Sequence, residues 1–283
     1  QIKSNTVGEK MSKVWKAPEI EMNNFATLDP RKMSAVEIVV PFYGKHSSVS
    51  NLIDAIFKSV STNRYQITLV DDGSENESFI AAINEAKLPG VVCMRHDQRM
   101  GFGAAINSAL QNAKHDWIPW VCIMHSDVLV EGATWLAALG NSMQKLKSSG
   151  VKMISPRTDN PGDSLKAVFE EKGINKRDGA CKDFLLVDNQ YLPLYCALCH
   201  RDLFRHIGLF REFPLAGCEA QDLAIRMNKH GFSQAICGSS WVYHEGEGTI
   251  SLLNKKDKEL LRKTRQDFEI KMNLTKNVSS TDK

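Results

Sequence analysis

Between residues 36 and 146, short runs of β-branched and other apolar residues alternate with longer segments whose apolar residues recur at helical spacing. The short runs predict strands, and the longer segments predict helices. The predicted strands are 36–40, 67–70, 91–94 and 117–124, and the predicted helices are 49–60, 79–86, 103–113 and 135–146. Because strands that alternate with helices form a parallel sheet covered by helices, the sequence predicts an α/β fold.

Polar residues follow each of these predicted strands. The groups are Pro41-Phe42-Tyr43, Asp71-Asp72, residues 95–99 and His125-Ser126-Asp127. Turn formation alone would explain any one of them, since Asp-Asp-Gly-Ser is a common turn sequence. In open α/β sheets, however, ligands bind beyond the carboxyl ends of the strands. The four groups together therefore predict one binding site at this edge of the sheet.

The second half of the chain is less regular. Residues 158–181 are rich in Gly, Asp and Lys and predict a loop. Further strands are predicted at 184–187, 192–199, 235–237 and 240–243, and further helices at 223–227 and 257–272. Residues 1–33 are polar and lack periodicity. We expect an N-terminal extension over 1–33, a single domain over 34–249, and a C-terminal helix with a polar tail over 250–283.

The composition excludes several protein classes. With 42% apolar and 24% charged residues, the chain is neither disordered nor collagen-like nor a coiled coil. A net charge of +3 does not indicate nucleic acid as a partner, although it does not exclude it. The longest apolar run, 117–124, is shorter than the ~20 residues that cross a bilayer. With no visible signal peptide, we expect a cytoplasmic protein, or one that is peripheral at a membrane.

The seven cysteines are scattered, which is typical of reduced thiols. One group, Cys196, Cys199 and His200, matches the short pattern of c-type haem attachment. The two cysteines lie in an apolar run that predicts a buried strand. We therefore interpret them as buried thiols rather than as ligands of haem or zinc.

Two residues that follow predicted strands could bind a divalent cation. Asp127 ends a core strand, and a carboxylate in such a place suits Mg²⁺ or Mn²⁺ in a nucleotide site. His244 follows the strand predicted at 240–243, and an imidazole favours Mn²⁺ over Mg²⁺. Taken singly, Asp127 could equally be a turn residue and His244 a surface residue.

Two acidic residues, Glu219 and Asp222, lie three positions apart at the start of a predicted helix. Both suit a helix N-terminus, with Asp222 as the N-cap, and either could act as a general base. We expect Glu219 to precede the helix and Asp222 to lie in its first turn, so that the two side chains point differently.

Seven stretches resemble, in the same order, those of family 2 glycosyltransferases of the GT-A fold. They are IVVPFY (38–43), LVDDGS (69–74), RMGFGAAIN (99–107), MHSDV (124–128), residues 197–210, EAQDLAIRM (219–227) and VYH (242–244). The resemblance implies a Rossmann-like, mixed and mostly parallel sheet flanked by helices in a single catalytic domain. It also implies inverting, metal-dependent transfer of a sugar (hexosyltransferase type) from a nucleotide-sugar, expected to be a UDP-sugar, to an acceptor hydroxyl.

The same resemblance implies roles for individual residues. The implied nucleotide-sugar-binding residues are Pro41, Tyr43, Asp71, Asp72, Arg99, Gly101 and Ser126. Among them, Asp72 would bind the base with support from Asp71. The implied metal ligands are Asp127 and His244, for Mn²⁺ or Mg²⁺ with Mn²⁺ favoured, and the implied catalytic acids are Asp222 and Glu219.

Two positions depart from the family pattern. His125 replaces the first acid of the D-x-D motif, which removes one carboxylate from the metal site. Ala220 stands where the catalytic aspartate most often lies, so the base would be Glu219 or Asp222, with Asp222 slightly preferred. A non-catalytic sugar-nucleotide or glycan-binding domain of the same fold is the alternative. A nucleotidyltransferase is less favoured, because residues 41–45 are a poor substitute for its Gly-rich basic loop. The sequence identifies neither the sugar nor the acceptor.

Overall fold

The computed structural model describes residues 36–59, 65–112, 117–179, 181–187, 190–246 and 250–281. The predicted extension over 1–33 lies outside these residues. The strands are β1 (Val36–Phe42), β2 (Tyr65–Asp71), β3 (Val91–Arg95), β4 (Trp120–Met124), β5 (Val128–Val130), β6 (Val151–Thr158), β7 (Phe184–Leu185), β8 (Cys196–His200) and β9 (Ser233–His244). The helices are α1 (His46–Lys58), α2 (Ser78–Ala86), α3 (Phe102–Leu110), α4 (Trp135–Lys145), α5 (Asp163–Glu171), α6 (Asp202–Ile207), α7 (Glu219–Lys229) and α8 (Lys255–Thr281), with short 3₁₀ turns at Lys147–Ser149 and Ile250–Leu252.

One sheet runs through the molecule in the order β3-β2-β1-β4-β8-β6-β9-β5, and β7 pairs with β9. The strands β3, β2, β1 and β4 are parallel to one another. Beyond them, β8 runs antiparallel to both β4 and β6, and β5 runs antiparallel to β9. The predicted α/β class with a mixed sheet flanked by helices is confirmed. Its parallel pairings are concentrated in the first half of the chain.

Alternation along β1 sends side chains to both faces of the sheet. Ile38, Val40 and Phe42 pack with apolar residues of α1, α2 and α4 on one face. Val39 packs with α3, α5, α6 and α7 on the other face. Because both faces are covered, the central strands are apolar nearly throughout, which is why the short runs identified them in the sequence.

The loop predicted over 158–181 is wrong in part, since it contains helix α5, and the strand β6 before it was not predicted. Leu165 and Phe169 are fully buried on α5, one helical turn apart, and they are the buried residues of this otherwise mostly polar helix. In β6, Pro156 interrupts the apolar pattern, and the pairing with β9 shifts register between Pro156 and Arg157. A strand tolerates a proline where its pairing shifts register. In the sequence alone, however, the same proline argues against predicting a strand.

The two short strands predicted at 235–237 and 240–243 form one continuous strand, β9. Gly238 joins them where the chain passes close to Cys181, and a Cβ at this position would lie 2.0 Å from the Cys181 carbonyl oxygen. Gly238, at which the sequence predicts the end of one strand, is therefore a position where two backbone segments approach closely, one within β9 and one beside it.

The cysteine pair of the haem-like pattern lies in β8, where Cys196 and Cys199 are fully buried. The Cys196 sulfur is 3.9 Å from the Cys122 sulfur of the neighbouring strand β4. Both thiols thus belong to the packed sheet.

A buried ion pair joins β1 to the start of α6. Arg201 donates to the Glu37 carboxylate, and Glu37 is fully buried. The Thr68 hydroxyl also donates to Glu37, with 2.5 Å between the oxygens, and Arg201 donates to the carbonyl of Ile118 at 3.0 Å. The interior charge of Glu37 is therefore matched by hydrogen bonds from two neighbouring segments.

We expect Arg201→Met to lower the free energy of unfolding by about 3–5 kcal/mol, because it leaves the Glu37 carboxylate buried without its cation. Chemical denaturation measures the change. The double variant Glu37→Leu/Arg201→Met removes both charges and should regain much of the loss. An unchanged denaturation midpoint for Arg201→Met would contradict this account.

Helix α8 packs against the segment that precedes α7. Leu261 and Phe268 of α8 are buried, and the Phe268 ring meets the Phe213 ring edge-on with 5.5 Å between centroids. Among the described residues, no helix combines the length and apolar character that crossing a membrane requires.

Candidate active site

A cavity of about 520 Å³ opens at the carboxyl ends of β1, β2 and β4. Most of the predicted site residues line it, namely Pro41, Tyr43, Asp72, Arg99, Ser126, Asp127, Glu219 and His244. Asp71, Gly101 and Asp222 are not part of the lining. The strand ends that were predicted to converge at one edge therefore border a cavity. The volume of this cavity is typical of a small-molecule site.

Strand pairing brings Asp127 and His244 together, although 117 positions separate them in the sequence. Asp127 lies in the turn between β4 and β5, and Val128 of β5 pairs with His244 of β9. The backbone N–H of Glu245 donates to the Asp127 carbonyl at 3.2 Å, which continues this pairing. A pairing between distant strands thus brings both side chains together.

Three potential ligands converge at this point: His125, Asp127 and His244. The His244 Nε2 atom is 3.2 Å from His125 Nδ1 and 3.5 Å from Asp127 Oδ1, and His125 Nδ1 is 4.0 Å from the same oxygen. Ligands that share one ion at bond lengths of about 2.1 Å lie about 3.0–4.2 Å apart. The residues present therefore fit a single divalent cation.

Hydrogen bonds orient the His244 ring for this purpose. Its Nδ1 atom is 2.9 Å from the Asn160 carbonyl oxygen, and a carbonyl only accepts, so Nδ1 carries the proton. With Nδ1 as the donor, Nε2 faces Asp127 and His125. The Tyr195 ring stacks on His244 with 5.3 Å between centroids and holds it in this orientation.

His125 is the ligand that the sequence analysis did not assign, since it was counted there only as a lost carboxylate. Burial and the neighbouring His244 lower its pKa, which favours the neutral imidazole that binds metals. Its position two residues before Asp127, at the first position of the D-x-D motif, could have indicated a metal ligand. Departure from the family pattern thus changes the donor set to two imidazoles and one carboxylate.

Asp72 is the centre of a hydrogen-bond network on the other side of the cavity. Its Oδ1 atom accepts from the backbone N–H of Met100 at 2.8 Å and lies 2.9 Å from His96 Nδ1. Its Oδ2 atom accepts from the N–H of Gly101 at 2.8 Å. Each carboxylate oxygen has two lone-pair sites, so Oδ2 keeps one for a ligand.

Gly101 and Asp71 support this network from behind the cavity wall. Gly101 has φ +102°, and a Cβ there would lie 2.7 Å from the Phe213 carbonyl oxygen, so only glycine fits. Asp71 is fully buried and binds the Arg95 guanidinium and the Ser74 hydroxyl. The predicted support of Asp72 by Asp71 is therefore indirect, through the structure of the loop.

Tyr43 and Arg99 form a stack at the mouth of the cavity. The Arg99 guanidinium lies over the Tyr43 ring, 3.9 Å from its centroid. A terminal nitrogen of Arg99 is 3.8 Å from an oxygen of Asp257 in α8. The C-terminal helix thus reaches the side of the cavity where the sequence analysis placed the nucleotide.

Glu219 begins helix α7, and Cys218 is its N-cap, so the expectation that Glu219 precedes the helix is wrong. The Glu219 side chain lines the cavity and is 4% exposed. The Gly217 N–H donates to its Oε2 at 2.6 Å, whereas its Oε1 has no hydrogen-bond partner among the described residues. Burial raises the Glu219 pKa, and the bond from Gly217 partly opposes this.

Asp222 has a different environment, one turn further along α7. Its Oδ2 accepts from Arg226 Nε at 2.8 Å, and its Oδ1 is 3.1 Å from an Arg211 nitrogen. Arg226 also donates to the Ile207 carbonyl at 2.7 Å. Asp222 thereby fastens α7 to the end of α6 and does not face the cavity, contrary to the slight preference for it as the base.

Further lining residues had no distinguishing pattern in the sequence. They are Phe102, Asp163, Tyr191, Leu194, Leu215, Arg265 and Glu269. Leu194 and Leu215 have positive φ values of 65° and 68°, a strained conformation for leucine that is common at functional sites. Arg265 and Glu269 come from α8, which makes the predicted C-terminal helix part of the cavity wall.

Comparison with known proteins agrees with this geometry. The sequence profile of Glycosyl transferase family 2 matches residues 37–208, which is more than half of the chain. No curated protein sequence matches the chain.

Many solved structures are similar to this chain, and two of them illustrate the shared fold. One is a mannosyltransferase, PcManGT from Pyrobaculum calidifontis, in complex with GDP-Man and Mn²⁺, with 17% identity and a TM-score of 0.56. The match covers 77% of this chain and 59% of that one. The other is GalNAc-T7 with UDP, GalNAc and Mn²⁺, with 18% identity and a TM-score of 0.56, over 75% of this chain and 44% of that one. The chain thus spans about half the length of these proteins, and at these identities the likeness shows the GT-A fold.

Proposed function

The chain belongs to glycosyl transferase family 2, and from this premise we propose that it transfers a sugar from a UDP-sugar to an acceptor hydroxyl, with inversion at the anomeric carbon. One observation carries the proposal: a single cavity holds both the three-ligand cluster at His125, Asp127 and His244 and the buried, partly unpartnered carboxylate of Glu219. The cluster suits the diphosphate of a nucleotide-sugar, and the carboxylate suits the proton of an attacking hydroxyl.

His125, Asp127 and His244 would hold the divalent cation. We expect Mn²⁺ rather than Mg²⁺, because two of the three ligands are imidazole nitrogens and Mg²⁺ prefers oxygen. When bound, the cation supplies positive charge that stabilises the departing diphosphate. The GDP-Man and UDP complexes of the two similar structures both contain Mn²⁺, which supports this choice.

Glu219 would act as the general base. The acceptor oxygen forms a bond to the anomeric carbon while the bond between that carbon and the diphosphate oxygen breaks. The nucleoside diphosphate leaves with the electron pair, and the acceptor proton moves to the carboxylate of Glu219, which lines the cavity. This single displacement inverts the anomeric carbon and needs only one carboxylate as base.

The hydrogen bonds at Asp72 favour uracil as the base. With Oδ1 taken by Met100 and His96, one lone-pair site remains, on Oδ2. That site matches the single N3–H donor of uracil. Cytosine N3 is itself an acceptor and would face the carboxylate unfavourably. Guanine offers two adjacent donors, which would need both oxygens of the carboxylate.

We expect the wild-type chain to bind UDP about 10²-fold more tightly than CDP, because a site built to accept a donor rejects an analogue that lacks it. In Asp72→Ala this preference should fall to about tenfold or less. Calorimetry with Mn²⁺ measures both affinities, and released UDP measures turnover of UDP-sugars.

Ser108→Ala is the matched control for this prediction. It removes the 2.8 Å hydrogen bond on the far side of His96 and leaves the Asp72 carboxylate in place, so the preference for UDP should persist. Equal binding of UDP and CDP by the wild type would overturn the assignment of uracil.

A non-catalytic binding domain is the second candidate, and Ala220 favours it. This residue lines the cavity beside Glu219 and offers no carboxylate. A wild-type chain that binds UDP and Mn²⁺, but neither hydrolyses nor transfers any UDP-sugar, would be such a domain. The cytoplasmic or membrane-peripheral location stays a prediction.

A further inference from the structure

Four polar side chains of the cavity lining have no role in the proposed nucleotide, metal and base sites. They are Asp163 of α5, Tyr191, and Arg265 and Glu269 of α8. All four line the same cavity, and Tyr191 lies within electrostatic range of the other three. We call these four residues the acceptor end.

The acceptor end adjoins the proposed base. Arg265 interacts electrostatically with both Tyr191 and Glu219. Glu219 is more than nine-tenths buried, lines the same cavity and has an unpartnered Oε1. The carboxylate that would take up the proton of a ligand hydroxyl therefore lies beside the acceptor end.

Helix α8 is fixed in place beside the cavity. Phe268 is buried against Phe213, and a Cβ at Gly217 would lie 3.4 Å from Leu261 Cδ1 and 3.9 Å from Arg265 Cγ. Arg265 and Glu269 are four residues apart, so they project from the same side of the helix. The family profile ends at residue 208, and these two residues lie well beyond it.

The charges of the acceptor end select against anions. The acceptor end carries two carboxylates, Asp163 and Glu269, and one guanidinium, Arg265, which leaves one negative charge in excess. A phosphate or carboxylate on the ligand would be repelled, and such like-charge contacts are an effective source of specificity.

The hydrogen-bonding groups suit a sugar. Carboxylates accept from hydroxyl groups, while a guanidinium and a phenol donate to them. Burial raises the Tyr191 pKa, so its hydroxyl keeps the proton that it donates. Pro193 lines the same cavity and offers apolar surface to the C–H face of a pyranose ring.

We propose that the acceptor end binds an uncharged carbohydrate, whose hydroxyl receives the transferred sugar. The inference rests on the proposed function for the transfer step, but the binding of the carbohydrate can be measured separately. The C-terminal helix, through Arg265 and Glu269, then determines which acceptors are used.

The test uses the full chain with UDP and Mn²⁺ and measures binding by saturation-transfer NMR. The probes are methyl pyranosides of glucose, galactose, mannose, N-acetylglucosamine and N-acetylgalactosamine, each compared with its 6-phosphate or uronic acid. We expect at least one neutral pyranoside to bind about tenfold more tightly than its charged counterpart. In Asp163→Asn/Glu269→Gln, which leaves Arg265 as the only charge of the acceptor end, this ratio should fall to one or reverse.

Glu259→Gln is the matched control. Glu259 is an exposed α8 residue that pairs with Arg262 outside the cavity, and its replacement should leave the ratio unchanged. If the wild type hydrolyses UDP-sugars yet prefers the anionic probes, or binds no neutral pyranoside, the acceptor inference is wrong and the proposed function stands. If neutral pyranosides bind but UDP does not and no donor is turned over, the proposed function fails while the carbohydrate site remains.

Discussion

Replacing Asp127 by alanine is expected to lower turnover of the nucleotide-sugar by about 10³-fold or more, because a bound metal contributes several kcal/mol of transition-state stabilisation. Asp127 provides the only carboxylate of the three-ligand cluster and is 7% exposed. Without it, only the two imidazoles of the cluster remain, which bind a hard cation weakly. UDP affinity measured by calorimetry should then no longer depend on Mn²⁺.

The variant His125→Ala tests whether three residues bind the cation or only Asp127 and His244, the pair expected from the sequence. If His125 is a ligand, its replacement should weaken Mn²⁺ binding about 10–100-fold, the loss typical of a disturbed metal site. Asp202→Ala, at a half-exposed position on α6 where the carboxylate pairs with Arg205, is the control and should bind Mn²⁺ as the wild type does. Equal UDP affinity of the wild type with and without Mn²⁺ would falsify the metal assignment.

Replacing Glu219 by glutamine is expected to lower the rate of sugar transfer by about 10²–10⁴-fold while UDP binding stays nearly unchanged. The amide keeps the shape of the side chain and can accept the hydrogen bond from Gly217. It cannot take up the acceptor proton. Transfer is measured by product formation at saturating acceptor, and UDP affinity by calorimetry.

The pH dependence of the transfer rate provides a second test of Glu219. Burial raises the Glu219 pKa, and only the deprotonated carboxylate can act as base. The rate should therefore fall as the pH drops through a value above that of an ordinary glutamate. Glu219→Gln should lack this acidic limb.

Asp222→Asn distinguishes the two acids of α7. Because Asp222 pairs with Arg226 and Arg211 away from the cavity, we expect a loss of stability of about 1–3 kcal/mol and little change in the transfer rate well below the melting temperature. If folded Asp222→Asn shows a transfer defect as large as that of Glu219→Gln, Asp222 is the general base.

The sequence alone identified most of the elements on which the site is built. Strands β1, β2 and β4 are covered on both faces, so their apolar runs mark them directly, and the polar residues after them lie at one edge. Pro41, Asp72 and Asp127 could be named because each immediately follows or ends such a run. For the same reason α5 was missed, since only Leu165 and Phe169 of its residues are buried.

The tertiary structure decided what long-range pairing controls. His244 lies next to Asp127 and His125 because β5 pairs with β9. The apolar pattern of a strand does not indicate which other strand it pairs with. Local spacing could not separate Glu219 from Asp222, because both occupy the first turns of α7. The difference comes from Arg211 and Arg226, which neutralise one acid, and from burial at the cavity, which leaves an oxygen of the other without a partner. Likewise, the charged pattern of α8 indicates a helix, but only its packing against Phe213 and Gly217 places Arg265 and Glu269 at the cavity. Local periodicity reports burial within one element, whereas an active site is made by contacts between elements that are distant in the chain.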